Sequence, residues 1–142
     1  MREVLHDRDC PRHIFQFLTR HPQRYLDWVW WQNCWLGATA TTAQAAYDCG
    51  EWLGSISWGD SGQGKTFLSC EPLLSWSPPR PALHHLDWII VGAMTGPGAI
   101  PPEDGAVERL IESCDLYSVP IFCKRSVRHI CKRQEWPEGV TP

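Results

Sequence analysis

Residues 59–74 read GDSGQGKTFLSCEPLL, and the fold turns on whether Lys65 and Thr66 open a helix or a strand. A glycine, four free positions, a second glycine, then Lys and Thr is the spacing of a phosphate-binding loop. There a strand ends at the first glycine, backbone N–H groups wrap the phosphates, and a helix starts at the Lys-Thr pair. Here Phe67, Leu68, Ser69 and Cys70 run directly to Pro72. A proline in the first turns of the required helix removes a hydrogen bond and clashes, at a cost of about 3 kcal/mol. Nor does a later apolar run end in an aspartate placed for magnesium, because Asp87 precedes WIIVG instead of closing it. The stretch therefore reads as a glycine-rich connection into a buried strand, with Lys65 in solvent. Nucleotide binding through GDSGQGKT stands third among the functional alternatives.

Once 66–71 is a strand, four other short apolar runs fall into line with it: IFQFL at 14–18, CWLGATA at 34–40, DWIIVGA at 87–93 and VPIFCK at 119–124. Their lengths suit strands. Between them lie helix signals. Pro22 opens PQRYLDWVWW in a position where a first helical turn accepts proline, and Thr41 with Gln44 has capping-box spacing ahead of AQAAYDCGEWL. Val107, Leu110, Ile111 and Cys114 form one apolar stripe after the acidic pair Glu103-Asp104. A helix there that stops before Val119-Pro120 and passes into a strand makes a parallel crossover unit. Segments 54–65 and 75–86 are rich in Gly, Ser and Pro and read as loops. RSVRHICKRQEWPEGVTP begins as an exposed amphipathic helix with Val127, Ile130 and Cys131 on one side. The alternation of strand and helix implies a parallel sheet covered by helices.

Composition narrows the classes. A chain of 142 residues is one domain by default and buries roughly two thirds of its unfolded surface. Its net charge is −3, so general attraction to nucleic acid is not expected, and the basic residues between Lys124 and Arg133 read as a solvated helix face. No apolar run reaches the roughly 20 residues of a membrane span and MREVLHDRDC has no signal-peptide core, so a cytoplasmic protein is expected. The 7 cysteines then read as free buried thiols. No two of them lie closer than eight residues, which leaves no short-spaced pair for zinc or an iron–sulfur cluster. His84-His85 and the loose set Cys123, His129 and Cys131 are weaker still as metal ligands. The 9 tryptophans each carry an N–H that needs a partner, which places WVWWQNCW at a boundary or under a cover.

Parallel sheets bind ligands beyond the carboxyl ends of their strands. Those ends carry Thr39 and Thr41, Ser69 and Glu71, Gly92, Thr95, Gly96 and Gly98, and Lys124. Strand alternation puts Ser69 and Glu71 on one face, with Cys70 on the other, and Phe122 with Lys124. Glu71 and Lys124 are thus candidate catalytic groups, or an ion pair closing the mouth. Thr39, Thr41 and Ser69 are polar candidates for cofactor binding. The turn GAMTGPGA contributes Thr95 and the glycines Gly92, Gly96 and Gly98, which let backbone approach a ligand.

In order and spacing, FQFLTRHP, NCWLGATATT, FLSCEPLL, LDWIIVGAMTGPGA and VPIFCK resemble an uncharacterised phage-associated family of radical S-adenosylmethionine-like proteins over about residues 10–126. The resemblance implies an incomplete TIM-type barrel, with 1–142 as a single domain equivalent to its C-terminal half. It also implies S-adenosylmethionine as a possible cofactor, and an iron–sulfur cluster on an N-terminal half outside this chain. Thr41 stands where the family has a glutamate, Ala93-Met94 where it has Gly-Glu, Ile100 where it has an arginine, and Lys124-Arg125-Ser126 where it has Lys-Gln-Trp. The implied protein is not catalytic alone and either completes a split enzyme or is a remnant that only binds S-adenosylmethionine; the alternative is a non-enzymatic interaction module. About five strands cannot close a barrel, so a second copy or a separate chain is expected over the open edges, with the Trp-rich segment 28–35 contributing.

Overall fold

The computed structural model describes residues 12–60, 62–77, 81 and 83–140. Five strands form one all-parallel sheet: β1 Phe15–Thr19, β2 Cys34–Thr39, β3 Lys65–Cys70, β4 Trp88–Val91 and β5 Ile121–Cys123. They lie in chain order, β1-β2-β3-β4-β5, and the sheet is open. All five expected strands are present. Lys65 and Thr66 begin a strand, so the helix that a phosphate-binding loop requires at that point is absent.

Two glycines of GDSGQGKT have structural reasons, one of packing and one of backbone conformation. A Cβ on Gly64 would fall 2.1 Å from the Cys34 carbonyl oxygen and 2.7 Å from the Trp58 ring, and Gly62 has φ of 108°. Lys65 is drawn out of solvent toward Asp87, Nζ to Oδ1 3.4 Å, and Asp87 also accepts from the Thr66 N–H at 2.8 Å.

Helix α1, Ala43–Gly54, starts one residue later than the capping box suggests. Thr42, not Thr41, is the N-cap: its backbone is extended and its hydroxyl accepts from the Ala45 N–H at 3.2 Å. Gln44 bonds Asp48 one turn on. Helix α2, Ala106–Tyr117, buries Val107, Leu110 and Cys114, with Ile111 packed beside them. The segment after Pro22 is only a short 3-10 turn, Pro22–Asp27, pinned to the sheet by the Tyr25 hydroxyl donating to the Gly37 carbonyl at 2.9 Å. Of the indole donors, Trp30 reaches the Tyr25 carbonyl and fully buried Trp76 reaches Ser113 Oγ.

The larger core lies on the sheet face that carries Leu36, Ala38, Leu68, Cys70, Ile89, Val91, Ile121 and Cys123, together with α1 and α2. The other face is aromatic. Phe67 lies over Gly37, where a Cβ would fall 2.2 Å from its ring, and Trp88 makes ring contacts with Phe67, Trp35 and Phe122.

The C-terminal segment departs from the expected helix. After a single 3-10 turn, Arg125–Val127, the chain runs back along β5, with the Cys123 N–H donating to Arg133 and the Glu135 N–H to Ile121. Trp136 then stacks on Trp88, centroids 5.1 Å apart. Pairing with the β5 backbone and burying an indole outweigh the weak helical preference of RSVRHICKRQ. The expectation of two bare edges is thereby corrected: the chain's own residues cover β5. The six described cysteines, Cys34, Cys49, Cys70, Cys114, Cys123 and Cys131, are free and buried. Among the described residues, no helix is long and apolar enough to cross a membrane.

Candidate functional site

Strand register builds the site. Thr39 pairs with Ser69 and Ser69 with Ile90, while Ile90 pairs with Phe122. Side chains repeat every second residue, so the next row on the same aromatic face runs Thr41, Glu71, Gly92, Lys124. Glu71 and Lys124 leave strands that are not neighbours, with β4 between them. They nonetheless form an ion pair, Lys124 Nζ to Glu71 Oε2. The glycine at 92 makes this possible: a Cβ there would stand 3.0 Å from Glu71 Oε1, so the carboxylate lies across the space that a side chain would fill.

The sequence candidates Glu71, Gly92 and Lys124 are thus one unit, with Thr39 and Ser69 one row below. Ser69 is buried and Thr39 half-buried. Thr41 is held by its backbone, its carbonyl accepting from the Leu74 N–H at 2.8 Å. Gly92 was expected to let backbone approach a ligand, but it is buried and the Glu71 carboxylate lies against it.

Thr95, Gly96 and Gly98 behave differently. Met94–Ile100 is exposed, both glycines have positive φ, 99° and 76°, and a Cβ on either would meet open space. A turn explains them, with the Ala99 N–H donating to the Gly96 carbonyl. No described hydrogen bond or ion pair joins them to Glu71 and Lys124.

Ser126 is a rim residue that strand-end reasoning missed. Its hydroxyl accepts from the Ala93 N–H at 3.0 Å, tying the β4 exit to the turn after β5. It lies past a strand end in a stretch expected to be helix, so periodicity gave no sign of it.

The Glu71 and Lys124 side chains are 34% and 43% exposed. A pair this open contributes about 0.5 kcal/mol, so its charges can be shared with a ligand at small cost. Across its width the rim offers a carboxylate that accepts, an ammonium that donates and two hydroxyls that do both, groups suited to an amino-acid zwitterion and sugar hydroxyls.

The thiols are of another kind. Burial pushes Cys49 up to about 11, and Cys114 and Cys123 up to about 12. Protonated thiols in a core are poor nucleophiles and poor metal ligands. His84 and His85 lie at the opposite end of the sheet, lining an opening of about 420 Å³ with Leu53, Trp58, Gln63 and Asp87. Among the described residues, no three His, Cys, Asp or Glu side chains converge as a metal site.

No curated protein and no solved structure matches the chain. A family described as "Protein of unknown function (DUF5131)" matches residues 2–136, nearly the whole length, and the chain belongs to that family.

Proposed function

We propose that the chain is the C-terminal half of a radical-SAM-like barrel, that it binds S-adenosylmethionine at the Glu71–Lys124 rim, and that it works as one part of a split enzyme. The observation that carries this is the ion pair set across Gly92 at the carboxyl ends of the strands, where parallel sheets place their ligands. Five parallel strands in unbroken chain order are in keeping with a barrel segment, since a barrel adds each strand beside the last.

In this role Glu71 accepts from the ligand's ammonium group and Lys124 donates to its carboxylate, each giving up part of the other. Thr39 and Ser69, on the same face, present hydroxyls to the ribose. No contact is assigned to Thr95, Gly96 and Gly98. Bound S-adenosylmethionine would supply an activated adenosyl group, and the one-electron donor for its reductive cleavage is assigned to the partner chain. This chain's own residues bind and orient.

A thermal melt tests the proposal. S-adenosylmethionine at a hundred times its dissociation constant adds about 2.7 kcal/mol to folded-state stability. The wild-type melting temperature should rise, and the rise should vanish in Lys124→Met. No rise in the wild type sinks the proposal. It would favour the alternative, a module that binds another macromolecule and no small molecule, for which exposed Ile14 and Leu18 on the first strand and its approach speak.

A further inference from the structure

The two sides of the sheet are finished differently. β5 is covered by the chain's own residues 133–135, whereas β1, among the described residues, pairs with β2 alone. The Phe15 N–H donates to the Asn33 carbonyl at 2.9 Å. Alternation therefore turns the N–H and C=O groups of Gln16 and Leu18 outward.

Natural edges of this kind are usually blunted with lysine, proline, a bulge or inward charge. FQFLT has none of these, and its five residues pair with β2 in unbroken register. Instead the edge is apolar: Ile14 is 57% and Leu18 56% exposed, both on the aromatic face by alternation, with exposed Leu26 and Val29 beyond the strand.

Charge selects the occupant. The whole chain carries −3, yet exposed Arg12, Arg20 and Arg24 flank β1 against Asp27 as the sole acid between residues 12 and 29. A second copy pairing antiparallel about Gln16 would bring Arg12 of each molecule opposite Arg20 of the other, and like charges facing across strands are destabilising.

We infer that the β1 edge is a docking site for an extended, acid-flanked segment of a different protein, which adds to the sheet as a strand. Its backbone pairs with Gln16 and Leu18, its apolar side chains cover Ile14 and Leu18, and its carboxylates meet Arg12, Arg20 and Arg24. Main-chain bonds supply affinity and the flanking charges supply selectivity. The inference deepens the split-enzyme proposal on the partner side and rests on it only for the open sheet; the S-adenosylmethionine rim plays no part.

The test is amide hydrogen exchange on the full chain with a short synthetic peptide of alternating valine and threonine ended by glutamates, beside a lysine-ended twin. The glutamate peptide should protect the Gln16 and Leu18 amides. Its affinity should fall about tenfold in the double variant Arg20→Glu, Arg24→Glu, whose melting temperature, set by distant cores, confirms folding. Protection should also disappear in Leu18→Lys, an exposed position that tolerates the change.

Three results overturn the inference: no protection by the glutamate peptide, equal binding of the lysine peptide to the wild type, or Gln16 and Leu18 amides already protected in the protein alone. In the last case, light scattering separates a dimer from a monomer covered by its own chain. Loss of S-adenosylmethionine binding leaves all of these outcomes unchanged, so the two proposals fail separately.

Discussion

Two glycines carry much of the meaning in this sequence, and neither has the role its motif suggests. Gly64 belongs to a string spelled like a phosphate loop, but its lack of a side chain is what lets β3 start against the Cys34 carbonyl and the Trp58 ring. Gly64→Ala should cost about 2 kcal/mol in urea unfolding, while Lys65→Ala, which removes a partly exposed pair, should cost under about 1 kcal/mol. The reverse order would contradict a packing role for the loop. Gly92 is the space through which Glu71 reaches Lys124. Glu71→Gln should leave stability within about 1 kcal/mol of wild type yet abolish binding of S-adenosylmethionine in equilibrium dialysis. Side-chain alternation made Glu71 and Lys124 legible from sequence, because both extend strands by one step on the same face. It could not show that they touch, which depends on the absent side chain of a third strand.

The strands were legible because each is a short apolar run closed by turn residues, and α2 because its stripe at 107, 110, 111 and 114 has a helical period. What could not be read were the segments whose conformation is decided by a distant partner. RSVRHICKRQ has a plausible helical face, but residues 133–135 find hydrogen bonds on β5 and Trp136 finds Trp88, contacts that no local pattern encodes. Trp136→Ala should therefore destabilise the protein by about 2 kcal/mol and expose Trp88 to acrylamide quenching; unchanged quenching would mean that the segment does not cover this face. Acid should loosen the same element. Hydrogen bonds from Arg133 hold the Glu135 carboxyl below its ordinary 4.5. The stability it contributes is complete above that value and is lost as pH falls through the lower folded one, so Trp136 fluorescence should shift in acid. In Glu135→Gln that shift should be absent.

At the scale of the whole molecule, a sheet wound in chain order has one face under its helices and the other left to aromatics and the returning C-terminal segment. The buried thiols set the alkaline limit of this arrangement. Free thiols titrate near 9.0, whereas Cys114 and Cys123 in the fold hold their protons to about 12. The unfolded chain binds fewer protons between those values, so the thiols' contribution to stability should be flat below about pH 9 and fall steadily from there toward about 12. Guanidinium midpoints across that range check the sign, and a Cys114→Ala, Cys123→Ala variant should show a shallower fall. The carboxyl-end rim, and not the His84–Asp87 opening at the other end, is the proposed site for a small zwitterionic ligand. A nitrogen-15 amide spectrum titrated with S-adenosylmethionine tests this most directly. Saturable shifts confined to Ser69–Glu71, Gly92–Ala93 and Lys124–Ser126 are the predicted result; a spectrum that does not move, or moves around His84–Asp87, would contradict it.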